Sequence, residues 1–397
     1  MTITYHDKYP SKQLNELVLL GSHDAAIATG GSNAMTQTKD IFYQAVNGAR
    51  FFDLRVAAFK TSFMGGKVEL RSYHDATKIS SPTLRIDNKM KVADLSNAKH
   101  SDIKVHTTVL GVAGFGLQAM LQDAKTFLKT VGTSEFLIFK FDKSENWDLI
   151  VDTCLSEVGQ DGLLYQTRDP KKRNINVMTL EQLRGKLLIL FPEDAFDKIG
   201  RMRNDLYSYG FLAWRNLYSK GQRSAKSYEE YFSGFQYYGK GGVSASASGD
   251  SGKINQNKNI QDKLMQGKGD YEIKVKRNLW KGRLGRTIDS GEHNGNLNPN
   301  VVGLMYWTTT GPSNSGILKR NNKMWSDAVK EEMVNIGLQH SNKSISAMGT
   351  SSAATVVKKF MPNIIMVDYV DHMKGMTVLS MNNVKAVEVA NSMEAML

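Results

Sequence analysis

The chain of 397 residues has a single cysteine, Cys154. That excludes an intramolecular disulfide framework and any cysteine-rich zinc site. No stretch approaches 18 consecutive apolar residues, so no transmembrane helix is expected. The opening residues, MTITYHDKYPSKQL, lack the continuous apolar core of a signal peptide. Export, if it occurs, is expected to use another route or a leader already removed. Delivery as an effector is then the expectation, with cytoplasmic residence as the alternative. No internal sequence repeat stands out.

What is present is the composition of a globular protein: 41% apolar, 23% charged and 9% aromatic residues, enough to bury a core. The net charge of +12 favours an anionic partner: nucleic acid, membrane surface or phosphate ester. Charge alone chooses none of them. Nucleic acid is disfavoured, because the basic residues form no recognition motif and acidic residues cluster where chemistry is expected.

Short apolar runs alternate with helix-like segments. Residues 17–21 (LVLLG), 51–56 (FFDLRV), 68–70 (VEL), 136–141 (FLIFKF), 186–191 (KLLILF), 301–307 (VVGLMYW) and 363–370 (NIIMVDYV) read as strands. Several are apolar on both faces, as strands of a covered parallel sheet are. Residues 116–131 repeat apolar side chains at helical spacing, and 147–158, 324–336 and 353–360 are further helices. Strand, helix, strand in succession implies parallel crossovers and an α/β fold.

The middle of the chain differs. From Arg201 to Ser290, 17 Lys and Arg stand against 8 Asp and Glu, interleaved with aromatics, and residues 239–252 are Gly/Ser-rich. This reads as an insertion. It is either a solvated excursion or a basic, aromatic surface suited to anionic lipid.

Polar residues interrupt the apolar runs at particular places. LVLLG leads into Ser22-His23-Asp24; FFDLRV carries Asp53 and Arg55 two residues apart; the third run leads to Tyr73-His74-Asp75. The fourth ends Lys140-Phe141-Asp142-Lys143, the fifth ends Pro192-Glu193-Asp194, and the last holds Asp368. In a closed parallel barrel the C-terminal strand ends converge on one mouth. Two histidines, an arginine and several carboxylates there would supply base, acid and fixed cation for phosphoryl chemistry. Taken singly, each has a structural reading: a hydrogen-bonded histidine, or a buried Asp53–Arg55 ion pair. Asp368 is the hardest to explain away, since a carboxylate in an apolar strand is costly without a partner.

GSHDA (21–25), GARFFDLRV (48–56), His74 and NIIMVDYV (363–370) together resemble the X-region barrel of bacterial phosphatidylinositol-specific phospholipase C. VVGLMYWTTTGPSNSG (301–316) is similar to its penultimate strand and following loop, and NIQDKL (259–264) to a short strand carrying a headgroup-binding aspartate, here Asp262. The resemblance implies a distorted, TIM-like (β/α) barrel in a single domain, 1–397, with 201–290 inserted before the last strands. It implies cleavage of phosphatidylinositol at an anionic membrane surface by a monomer needing neither cofactor nor metal. His23 would be the general base, oriented by Asp368, and His74 the general acid. Arg55 would lie on the phosphate oxygens, with Asp24 paired to it or to the leaving group. Lys143, Asp262, Tyr306 and Asp53 would bind the headgroup. One departure is visible: a basic residue expected at the end of the fifth strand is replaced by Phe191-Pro192-Glu193. The same barrel acting on another phosphodiester, and a non-catalytic barrel that binds anionic membrane, are the alternatives.

Overall fold

The computed structural model describes residues 2–28, 35–60, 68–75, 85–86, 105–106, 111–216, 233–238, 301–308 and 363–394. Eight strands close a barrel: β1 (Leu19–Ser22), β2 (Ala49–Leu54), β8 (Leu137–Phe141), β9 (Leu187–Pro192), β10 (Phe211–Asn216), β11 (Ser233–Tyr238), β12 (Val301–Trp307) and β13 (Ile364–Val367). Their order around the wall is β1-β13-β12-β11-β10-β9-β8-β2, and every neighbouring pair is parallel. All strand C-termini therefore open on one side. β8 is buried throughout and β9 at every position but Pro192, which is why their apolar runs are continuous rather than alternating.

Helices cover the outside. The expected amphipathic helix is α2 (Leu117–Lys129), which buries Leu117, Met120, Leu121, Ala124, Phe127 and Leu128. Next comes α3 (Trp147–Val158), which buries Ile150, Val151 and Cys154. The six-residue α1 (Ile41–Val46) starts at Asp40, whose carboxylate accepts the Tyr43 amide at 2.8 Å, a conventional N-cap. A C-terminal helix, α4 (His372–Glu394), follows the last strand; the sequence pattern does not suggest it. No helix among the described residues is long and apolar enough to cross a membrane.

Near the end opposite the mouth, between β2 and the helix layer, lies a buried ion pair. Arg50, at the start of β2, meets Glu135 at 2.7 Å, both side chains wholly buried. Glu135 also accepts the amides of Tyr5 and His6 at 2.8 and 2.9 Å, while Arg50 donates to the carbonyls of Ala45, Ala49 and Ile3. Nearly every donor and acceptor is matched, the condition under which a buried charge pair is tolerable.

Two expectations are corrected here. The run 68–70 is not a barrel strand: it begins β4 (Val68–Asp75), part of a separate antiparallel sheet ordered β6-β5-β3-β4-β7. Its other strands are β3 (Val56–Lys60), β5 (Arg85–Ile86), β6 (Val105–His106) and β7 (Gly111–Gly116). The apolar run marks a strand but not its partner or direction. Likewise, 201–290 is not wholly an insertion, because β10 and β11 are barrel strands lying inside it. Residues 217–232 and 239–300, with Asp262 and the Gly/Ser-rich stretch, lie outside the described residues, as do the helices expected at 324–336 and 353–360.

The side sheet is fixed against the mouth. The chain leaves β2, passes Arg55 and enters β3 directly. At its other edge, Phe115 donates its amide to the Ala26 carbonyl at 2.9 Å. Gly114 permits this approach, since a Cβ there would collide with the same carbonyl.

Candidate active site

His23 and Asp368 stand one residue beyond paired strands, His23 after β1 and Asp368 after β13. Their side chains meet, with His23 Nδ1 2.8 Å from Asp368 Oδ1. Nδ1 is thereby the protonated nitrogen, and Nε2 faces the mouth with its lone pair available when the ring is neutral. The ring lies edge-on to Tyr306, centroids 5.5 Å apart.

Asp24 has a left-handed backbone, φ 40°, unusual for a residue other than glycine and compatible with aspartate's short polar side chain. Its carboxylate is the junction of the site. Oδ1 is 3.2 Å from Arg55 Nε; Oδ2 is 3.4 Å from His23 Nε2 and 3.3 Å from His74 Nε2. His74 comes from β4 in the side sheet, so the site is shared between barrel and sheet. Tyr73 holds that strand in place: its amide donates to the Arg55 carbonyl at 2.9 Å and its hydroxyl to the Lys143 carbonyl at 2.5 Å. His74 is also the most open of the four, with 24% of its side chain exposed against 1% for Asp24.

These contacts set the protonation states. Burial disfavours a charged His23 ring, but Asp24, Asp368 and Asp53 outweigh it and lift its pKa to about 9. Asp24 above all, then Asp53 and Asp142, raise the Arg55 pKa against the opposing effect of burial. The guanidinium is therefore a permanent cation.

A second cluster lines the adjacent wall. Lys140, wholly buried, donates to Asp53 at 2.8 Å and Asp142 at 3.3 Å. Its ammonium lies 4.4 Å from the centre of the Trp214 ring. Tyr306 donates its hydroxyl to Asp53 at 3.1 Å. Farther round, Arg215 at the end of β10 forms a two-pronged pair with Glu193.

Of the residues expected from sequence, His23, Asp24, Arg55, His74 and Asp368 converge, and Asp53 and Tyr306 join them through His23 and Arg55. Lys143 does not: it is exposed, with its backbone in the left-handed region. Lys140, rather than Lys143, pairs with Asp53. The signal was available, since Lys140 lies directly opposite Asp53 in the β2–β8 register. Glu193, at the strand end where a basic residue was expected, pairs with Arg215 of β10. Once 68–70 leaves the barrel count, β10 rather than β9 is the fifth barrel strand in chain order.

No protein-family model matches the sequence, and no curated protein matches it. Among solved structures the similarities are consistent in kind. The chain resembles phosphatidylinositol-specific phospholipases C. A variant of the Staphylococcus aureus enzyme is 15% identical, with 94% of this chain and 96% of that one covered and a TM-score of 0.47. The Listeria monocytogenes enzyme is 13% identical over 94% and 95%, TM-score 0.42. A calcium-dependent enzyme from Streptomyces antibioticus is 8% identical over 93% and 98%, TM-score 0.36. At these values the barrel stands on its own strand pairing and the site on its own contacts.

His23, Asp24 and Asp53 can offer ligand atoms within 4.8 Å of one another. These donors are already engaged: Arg55 pairs with Asp24, and Lys140 with Asp53, whose second oxygen also accepts from Tyr306. A divalent ion would have to displace or repel both, so the residues present fit a metal poorly.

Proposed function

We propose that the protein is a metal-independent phosphodiesterase that cleaves phosphatidylinositol to diacylglycerol and a cyclic inositol phosphate. The observation that carries this reading is the shared carboxylate. His23 Nε2 and His74 Nε2 both lie within 3.4 Å of Asp24 Oδ2, with Arg55 on the other oxygen. The two ring nitrogens are therefore within about 7 Å of each other, a span that one phosphodiester can bridge.

The inositol 2-hydroxyl gives its proton to His23 Nε2 as its oxygen bonds to phosphorus. The bond from phosphorus to the diacylglycerol oxygen breaks, and that oxygen takes a proton from His74. Nucleophile and electrophile belong to one molecule, so correct positioning supplies much of the rate. Arg55 carries the charge that builds on the phosphoryl oxygens, with a planar fork that suits two of them. Asp368 stabilises the imidazolium formed on His23. Asp24 keeps Arg55 and both rings in register. His74, the most exposed, faces the side from which a lipid leaving group departs. Asp53, Lys140 and Tyr306 form a polar wall able to bind ring hydroxyls.

The test is an assay on vesicles containing phosphatidylinositol in the presence of chelator. Release of diacylglycerol supports the reading. Its absence there, with turnover of a different phosphodiester in a lipid panel, favours the same barrel working on another headgroup.

A further inference from the structure

We infer that Gln37 is a positioning residue for His23, acting as a brace that sets the distance between the base and Asp368; this rests on the catalytic role proposed for His23. Both residues lie beyond the last paired positions of β1 and β13, Ser22 and Val367. The His23 amide still donates to the Val367 carbonyl at 3.0 Å, one residue before Asp368. Gln37, wholly buried, reinforces the junction at that point. Its side-chain amide donates to the His23 carbonyl at 3.0 Å and the Val367 carbonyl at 3.2 Å. Its side-chain oxygen accepts the Val370 amide at 3.0 Å. Each chain exit is thus gripped by one three-atom group.

The amide orientation follows from its partners, because the reverse would set its oxygen against two carbonyls. The neighbouring backbone completes the wedge. Thr36 and Gln37 donate their amides to the Ile27 carbonyl at 3.0 and 3.1 Å, and Tyr369 donates to the Thr36 carbonyl at 2.7 Å. The Thr36 hydroxyl also donates to the Asp24 carbonyl at 2.8 Å. The segment 36–37 therefore sits between the turn that presents His23 and Asp24 and the turn that presents Asp368. Loss of the Gln37 amide takes its donor from the buried His23 carbonyl and the second of two donors from Val367, leaving the exits joined by the His23 amide alone and freer to separate. The His23–Asp368 contact, and with it the direction of Nε2, is what that movement changes.

The experiment compares Gln37→Met, which keeps shape without hydrogen bonds, and the milder Gln37→Asn with Asn382→Leu as a control. Asn382 is a similarly buried amide that grips β1 at its far end, through Val18 N at 2.7 Å and Val18 O at 2.8 Å. For each full-length protein we would measure unfolding midpoint, kcat and KM on phosphatidylinositol vesicles, and the His23 titration by NMR, assigned with His23→Ala. Gln37→Met is expected to lower kcat by about 10²-fold with KM changed by less than about threefold. Its His23 should titrate at lower pH than in the parent protein, and Gln37→Asn should move the same way by less. Asn382→Leu is expected to lose stability without moving the His23 titration. An unshifted His23 in both Gln37 variants, with stability lost as in the control, overturns the inference and makes Gln37 merely structural. Absence of turnover in the parent protein overturns the proposed function instead; the NMR titration then still decides the role of Gln37.

Discussion

His23 Nδ1 lies 2.8 Å from Asp368 Oδ1 although 345 residues separate them in the chain. A closed barrel brings them together because β1 and β13, its first and last strands, are neighbours in the wall. The catalytic reading depends on what that contact does to the imidazole.

The first prediction concerns pH and rate. With a pKa of about 9, His23 is mostly protonated at neutral pH. Its base form then grows about tenfold per pH unit below that value. The acid limb of kcat/KM should rise toward about pH 9 and belong to the coupled cluster rather than to one isolated ring. Asp368→Asn removes one of the raising charges, so the limb should move to lower pH while kcat falls. A rate flat from pH 5 to 9 would count against the assignment.

The second prediction separates the two histidines. His74→Ala and His23→Ala should each cost on the order of 10²–10⁴-fold in kcat on the lipid. A substrate with a nitrophenolate leaving group needs no proton there. That substrate should restore most of the loss in His74→Ala and little in His23→Ala.

The third concerns charge on the phosphate. Chelator should leave activity intact, whereas Arg55→Ala should lose about 10²–10³-fold, and Arg55→Lys should recover little because an ammonium lacks the fork. In Arg55→Asp a carboxylate joins Asp24, Asp53 and His23, so calcium should partly restore turnover. Calcium stimulation of the parent protein would contradict the charge argument.

The fourth is a stability test independent of turnover. The folded-state pKa of His23 is raised from 6.5 to about 9. Its contribution to stability is thus fully present below pH 6.5 and lost as pH rises through about 9. The magnitude is at most about 3 kcal/mol. Urea midpoints should fall across that window, and His23→Ala should flatten that fall.

The fifth concerns the buried Arg50–Glu135 pair. Glu135→Gln leaves the Arg50 guanidinium buried without its counter-charge and should cost about 3–5 kcal/mol by chemical denaturation, with little change in KM.

Much of this site could be read from the sequence because its residues sit at the ends of apolar runs. FFDLRV and NIIMVDYV announce both strand and carboxylate, and Asp368 in particular had no inexpensive structural explanation. Strand membership was less legible. The run at 68–70 has the composition of a barrel strand, yet its hydrogen bonds go to β3 and β7; pairing is a long-range property that local pattern does not carry. Lys140 was passed over for Lys143 because a lysine inside an apolar strand reads as an interruption until its register partner, Asp53, is known. Gln37 gave no signal at all: its role comes from three partners in β1 and β13 exits, none near it in the chain.

The most direct test is phosphorus NMR of the products formed from phosphatidylinositol vesicles by the parent protein with chelator present. A cyclic inositol phosphate appearing first, in step with diacylglycerol, is the predicted result. A linear phosphate as the first product, or an unchanged lipid signal, would contradict intramolecular attack between His23 and His74.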